Sequence, residues 1–348
     1  MAKKVKKRIN LALQGGGAHG AFTWGVLDRL LEEPELEIAA ISGTSAGALN
    51  GAALKAGLIR GGAQQARDNL EWLWGQIGAV KDLRMPAWMG LAAPDPRMIS
   101  GALEWSLPYM MADSFTRMVS PYVWGPFYRN PLDPIVSRFH YEDVCEAGGP
   151  ALFICATNVR DGKVRVFSGE GINKDVVMAS ACLPTLFQAV KLRDPRSGEI
   201  EPFWDGGYTG NPALFPLFDK LLPADLVIIN INPIIREKLP VTPPEIQNRI
   251  NEISFNSSLL RELRAINFVQ RLIASGSVSD GTMKNVLVHM IADDELMNSL
   301  SVATKNIAIP AVLTTLKAAG RAAAEGFLND HWDDLNVRQT ADLREMFD

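Results

Sequence analysis

Two glycine-punctuated turns near the N-terminus constrain this chain more than any other feature. Gly15-Gly16-Gly17-Ala18-His19-Gly20 follows the short apolar run 9–13, and Gly43-Thr44-Ser45-Ala46-Gly47 follows the apolar run 38–41. Each turn leads into a helical pattern. Residues 22–33 place Val26, Leu27, Leu30 and Leu31 on one face and meet Pro34, while a small-residue helix after Ser45 runs through Ala48, Ala52 and Ala53 to a stop at Gly57. Strand, turn and helix repeated twice predict parallel strands with helical crossovers. Both turns then fall on the carboxyl edge of one sheet, where open α/β folds bind ligands.

The remaining pattern extends this picture. Residues 151–157 read as a strand, Asp161-Gly162 as a hairpin turn into 164–167, and 188–192 with 200–204 as a second hairpin. Asn173 caps a short helix that Pro184 ends, and 226–231 and 286–291 are apolar runs fit for buried parallel strands. Between those two, 244–275 reads as a long helix with Ile246, Ile250, Ile253, Leu260, Leu263 and Ile266 at helical spacing. Residues 82–132 differ in character. They hold Met85, Met89, Met98, Met110, Met111 and Met118 with Trp88, Trp105 and Trp124, and read as an insertion or lid. The expected organisation is a principal unit over 9–218 carrying that insertion, with 219–348 adding strands and helices to the same domain.

Composition excludes several classes. With 35 Lys and Arg against 39 Asp and Glu, the net charge of −4 gives no electrostatic footprint for nucleic acid. Cys145, Cys155 and Cys182 cannot build a disulfide framework and fit a reducing compartment. There is no apolar run long enough to span a bilayer, and the apolar run after the basic residues 3–8 is too short for a signal peptide. The expectation is a cytoplasmic protein.

The chemistry concentrates in few residues. Gly43 to Gly47 fits the G-x-S-x-G elbow, which needs a serine in a strained strand-to-helix turn with glycines beside it. Residues 15–20 admit two readings. A dinucleotide fingerprint wants an acid at the end of the second strand, but Glu33, Glu35 and Glu37 precede that strand and its end is Ser42-Gly43. The other reading is an oxyanion hole of backbone N–H groups. Of four histidines, His289 would complete an α/β-hydrolase order with Ser45 and Asp205, but it sits in an apolar strand pattern and one strand alone precedes the elbow. His140 and His331 read as surface residues, His19 as polar support for the glycine turn. No histidine–cysteine cluster points to a metal. Asp205-Gly206-Gly207 closes the strand 200–204 and can present a carboxylate to a pocket.

These motifs, in this order, resemble the patatin-like phospholipase family over roughly residues 9–218. Residues 15–20 match its glycine-rich motif, 43–47 its elbow, 205–207 its Asp-Gly-Gly motif, and Ala179-Ser180-Ala181-Cys182-Leu183-Pro184 its small-residue segment. His19 departs from the arginine or lysine common there. The resemblance implies a three-layer α/β/α sandwich with a mainly parallel sheet and a Ser–Asp dyad. Ser45 is then the nucleophile and Asp205 the base. Gly15, Gly16 and Gly17 supply the oxyanion hole, and Gly20, Gly43, Gly47, Gly206 and Gly207 are the motif glycines. It implies no cofactor and no metal, a lipid or other acyl-ester substrate, and peripheral contact with a membrane or lipid surface. Acyl transfer on the same fold, or hydrolysis of non-phospholipid esters, is the alternative.

Overall fold

The structure is a computed structural model that describes residues 6–79, 96–104, 106, 107, 109, 111, 118–279 and 281–347. Its strands are β1 (Lys7–Leu13), β2 (Leu36–Gly43), β3 (Ala151–Asn158), β4 (Val164–Ser168), β5 (Val190–Arg193), β6 (Ile200–Asp205), β7 (Asp225–Ile229) and β8 (Leu287–Ile291). They form one sheet in the order β5-β6-β3-β2-β1-β7-β8, with β4 paired to β3. The helices that bear on the site are α1 (Gly20–Leu30), α2 (Ala46–Ala79), α3 (Pro96–Glu104), α4 (Lys174–Ser180), α5 (Pro243–Ala274), α6 (Val302–Asn306) and α7 (Pro310–His331).

The period of two along each strand sorts the side chains into two cores. Ile9, Leu11 and Leu13 of β1, with Val227 and Ile229 of β7, pack with α1, α2 and α7. Ala12 of β1 and Leu226 and Ile228 of β7 point the other way, onto Leu259, Leu263 and Ile266 of α5. Helices therefore cover both faces, giving the expected three-layer α/β/α arrangement. Strands β1, β2, β3, β7 and β8 run parallel, while β4, β5 and β6 join in antiparallel pairs.

Two registers place the functional loops. Leu13 pairs with Gly43 of β2 and with Ile229 of β7, so both glycine turns leave the sheet at one edge. On β3, Ala40–Gly43 of β2 pair as far as Ile154, and Asp205 of β6 pairs with Ala156. Strand β4 occupies the opposite flank of β3 over both stretches. Strands β2 and β6 thus meet end to end on one side of β3, and the elbow after β2 faces the end of β6.

Some expected boundaries move. The helix after Ser45 does not stop at Gly57. It breaks at Gly61 (φ −155°) and Gly62 (φ 71°), then continues to Ala79. Ala66, Leu70, Leu73 and Trp74 restart the apolar period after the break and are buried. Helix α4 begins after Asn173, whose side chain accepts the Val176 N–H at 3.0 Å, and ends at Ser180, ahead of Pro184. On α5, Leu263 and Ile266 are buried, but Ile246, Ile250 and Ile253 are exposed.

Of the methionine- and tryptophan-rich stretch 82–132, Met85, Trp88, Met89, Trp105 and Met110 lie outside the described residues. Met98, Met111, Met118, Tyr122, Trp124 and Phe127 are exposed, and Ile99 is buried. No helix of the described residues is long and apolar enough to cross a membrane.

Candidate active site

Ser45 sits at the β2–α2 junction with φ 54°, a left-handed backbone for a residue with a side chain. Such strain costs about 1–3 kcal/mol and persists where surrounding structure enforces it. Three contacts do so here. The Ser45 N–H donates to Ser180 Oγ at 2.9 Å. Thr44 Oγ1 donates to the Gly210 carbonyl at 2.7 Å. A Cβ on Gly47 would stand 2.1 Å from the Leu13 carbonyl oxygen, so glycine lets the elbow close onto β1.

The first glycine turn lies against Ser45. A Cβ on Gly15 would be 2.7 Å from Ser45 Cβ. Gly17 has φ 59°, and a Cβ there would be 2.3 Å from the Lys305 carbonyl oxygen of α6. Gly15 is clamped on both sides of its backbone. Its N–H donates to Asn211 Oδ1 at 2.7 Å, and its carbonyl accepts from Asn232 Nδ2 at 2.8 Å and Asn211 Nδ2 at 3.3 Å. Of the three glycines expected to supply an oxyanion hole, Gly15 therefore has its N–H engaged. The N–H groups of Gly16 and Gly17 have no partner among the described residues. Gln14 Oε1 braces the turn from behind, accepting the N–H groups of Ile231 at 2.9 Å and Asn232 at 3.1 Å.

Asp205 ends β6 and is fully buried. Its backbone N–H donates to the Cys182 carbonyl at 2.8 Å, and its Oδ1 accepts the Gly207 N–H at 2.7 Å. Its other oxygen, Oδ2, is buried without a hydrogen-bond partner. Burial pushes the carboxyl up to about 7, opposed by the Gly207 N–H and by the nearby Ser45 hydroxyl. The Ser45 hydroxyl is thus close enough to favour the carboxylate form of Asp205.

The histidines are placed elsewhere. His19 is buried, and its Nε2 lies 2.9 Å from Thr304 Oγ1. That hydroxyl donates to the Ser301 carbonyl at 2.8 Å, so it accepts from His19 Nε2–H. Burial, then the charges of Lys305 and Arg236, hold His19 well below its ordinary pKa. It is a neutral support, and the positive charge near the turn belongs to Lys305 and Arg236, both bonded to Glu252. His289 bonds Asp225 Oδ1 at 3.0 Å and Thr340 Oγ1 at 3.1 Å. Asp225 opens β7, so this pair belongs to the amino edge of the sheet, opposite Ser45. The Ser45–Asp205–His289 order does not assemble. His140 is exposed, and His331 bonds Asp334 at 3.0 Å.

The end of β2 offers no acid for a dinucleotide ribose; Ser42 Oγ donates instead to the Ala213 carbonyl at 2.6 Å. His140, Glu142 and Asp143 bring potential ligand atoms within 4.8 Å of one another. They lie away from the glycine turns, and Arg60 reaches both carboxylates.

Sequence reasoning missed Asn211, Asn232 and Gln14, and gave Ser180 no role. Buried side-chain amides are almost always hydrogen-bonded. The available signal was an amide beside each strand end: Gln14 after β1, Asn211 six residues past Asp205, and Asn232 after β7.

Solved structures give weak likenesses. VipD from Legionella pneumophila is 14% identical with a TM-score of 0.42, over 93% of this chain and 67% of that one. The type III effector ExoU is 16% identical with a TM-score of 0.34, over 95% of this chain and 54% of that one. Human GIVD cytosolic phospholipase A2 is 12% identical with a TM-score of 0.32, over 92% of this chain and 59% of that one. No curated protein matches. The sequence profile described as "Patatin-like phospholipase" matches residues 11–218, well over half of the chain. The span holds both glycine turns, the elbow serine and Asp205, and on that match the chain belongs to the patatin-like phospholipase family.

Proposed function

We propose that the chain is a serine hydrolase of fatty-acyl esters that works through an acyl-enzyme on Ser45. The observation that carries the reading is the placement of Ser45 against a buried aspartate whose pKa is raised to about 7. An ordinary aspartate is too weak a base near neutral pH; one at 7 is half ionised there and matched to proton transfer. Ser45 Oγ attacks the ester carbonyl while its proton passes to Asp205 Oδ2, the oxygen without a partner. The new oxyanion takes the unpaired N–H groups of Gly16 and Gly17. Asp205 returns the proton to the departing alcohol, then takes one from the water that cleaves the acyl-enzyme. Gly15 holds the turn through Asn211 and Asn232.

Family membership favours lipid esters as the substrate class. The exposed Tyr122, Trp124 and Phe127, with Ile250 and Ile253 on α5, offer apolar contact to a lipid surface. Phe255 on the same helix packs edge-on against Tyr208, near the Asp205 loop. The 9–218 span with its insertion, completed by 219–348, is the working domain in this reading.

A fluorophosphonate probe followed by peptide mass spectrometry tests it. The adduct is expected on Ser45, and Ser45→Ala is expected to lose both labelling and ester turnover while keeping its far-UV spectrum. A folded Ser45→Ala protein with undiminished turnover would falsify the mechanism.

A further inference from the structure

A second concave site lies beside the dyad. It is a cavity of about 750 Å³ that neither Ser45 nor Asp205 lines. No carboxylate residue lines it either, although four cations do: Lys163, Arg165, Arg196 and Arg261. Arg165 is neutralised, bonding Asp194 at 2.8 Å and Asp161 at 2.8 Å. Lys163, Arg196 and Arg261 are exposed and make no close ion pair with a carboxylate among the described residues, although Asp161 attracts the Lys163 charge from further off. Three cations without a close counter-charge around one hollow leave net positive charge there, which a bound anion offsets.

The rest of the wall limits what the anion can be. Thr209 and Ser257 add hydroxyls, whereas Val164, Pro195 and Phe215 form an apolar side. A bare inorganic ion leaves that side unused. An anion attached to carbon fills both, and phosphate is the group that several Arg and Lys side chains recognise together.

The cavity also touches the loop that follows Asp205 and, through it, reaches the first glycine turn. Tyr208 and Thr209 on its wall follow directly from the Asp205 turn. Thr209 Oγ1 is 2.9 Å from Thr157 Oγ1, which donates to the Asp205 carbonyl at 2.8 Å. Ser258, also on the wall, accepts the Asn211 N–H at 3.1 Å, and Asn211 holds Gly15.

We propose that this cavity binds the phosphate of an organic phosphate ester, with Lys163, Arg196 and Arg261 on the phosphate oxygens and the apolar wall against the adjoining carbon chain. The carrier is either a membrane phospholipid headgroup or a small free ester; the first choice rests on the lipid-hydrolase reading, the site itself does not.

The test uses the full chain carrying Ser45→Ala, so that binding is read without hydrolysis. The probes are vesicles of phosphatidylcholine, the same vesicles with added phosphatidylglycerol, and glycerol 3-phosphate. Losing three charges at a lipid surface is expected to weaken binding roughly 100-fold, and reversing them by at least that much. The protein should prefer phosphatidylglycerol vesicles, and Lys163→Glu/Arg196→Glu/Arg261→Glu should lose that preference. The charge-keeping set Lys163→Arg/Arg196→Lys/Arg261→Lys should retain it, and a thermal melt of each variant verifies folding. Saturable glycerol 3-phosphate binding without vesicle preference, again lost in the reversal variant, assigns the site to a free ester. Two results overturn the proposal: a reversal variant that binds both probes as the parent does, or glycerol 3-phosphate that displaces no better than sodium chloride at equal ionic strength. Failure of the hydrolase reading shows separately, as no fluorophosphonate adduct on Ser45.

Discussion

Asp205 and Asp225 are both buried at strand ends of one sheet, yet their carboxyls are pushed in opposite directions. Burial raises each. At Asp225, hydrogen bonds from His289 and from the backbone and side chain of Asn336 outweigh burial and hold the group below its usual range. At Asp205, one backbone N–H and a nearby serine do not, and the carboxyl rests near 7. Partners therefore separate a fixed charge from a proton acceptor where depth alone cannot. Asp225 is a staple between strands and the C-terminal segment. Asp205 is the base of the proposed mechanism, with its carboxyl raised to about 7.

The largest expected effect breaks the pair by chemistry. Asp205→Asn keeps the shape but removes the proton acceptor, and kcat for a short-chain ester should fall by about 10³ or more. Asp225→Asn should keep kcat within a small factor. A dead, folded Asp225→Asn enzyme beside an active Asp205→Asn enzyme would reverse the assignment.

Stability should run the other way. A folded-state pKa near 7, against 3.8 ordinarily, means that Asp205 binds its proton more tightly when folded. Its contribution is fully present below the ordinary value and is lost as pH rises through 7, by about 4 kcal/mol at the upper limit. Asp205→Asn should then melt higher than the parent at pH 8, with the gap closing towards pH 4. Asp225 has the opposite sign: its contribution is present above the ordinary carboxyl pKa and is lost as pH falls through the depressed one. Asp225→Asn should melt lower than the parent at pH 7. Parallel thermal scans of both variants across pH measure the crossing.

Asn211→Asp is a subtler break, on the oxyanion side of the site. The isosteric carboxylate can still accept the Gly15 N–H but cannot donate to its carbonyl. A turn displaced by this change should lower kcat by about 10-fold to 100-fold, with KM little altered. A change confined to KM would place Asn211 in substrate binding instead. The smallest effect concerns His19. Because it is already neutral, His19→Gln should leave the acidic limb of the kcat profile near pH 7, where Asp205 ionises. A shift of that limb would transfer the ionisation from the aspartate to the histidine.

What the sequence makes legible is local. The elbow and both glycine motifs announce themselves because their geometry is set by neighbours within a few residues, and the short apolar runs between turns mark the parallel strands. The clamp on Gly15 is invisible because Asn211 and Asn232 reach it across 196 and 217 residues. So is the end-to-end meeting of β2 and β6, which depends on both strands sharing a flank of β3. Gly57 misleads as a helix stop because its missing side chain serves close packing: a Cβ there would stand 2.2 Å from Ala66 Cα. His289 attracts attention by residue type; its apolar strand pattern already speaks against it, and the amino-edge position of Asp225, its partner, removes it from the site.

The central place of β1 has a consequence for synthesis. Its two neighbours are β2, close behind in the chain, and β7, which begins at Asp225. The glycine turn that follows β1 is then finished by Asn232, Thr304 and the Lys305 carbonyl. Closing such long loops is slow, and it cannot start before the distal residues have left the ribosome. A nascent chain that has just completed every recognisable motif, up to Gly207, still lacks one flank of its central strand and the far wall of its first glycine turn. The elbow serine is made early, but its surroundings are completed only with the last third of the polypeptide, so in the proposed mechanism an unfinished chain has no working site.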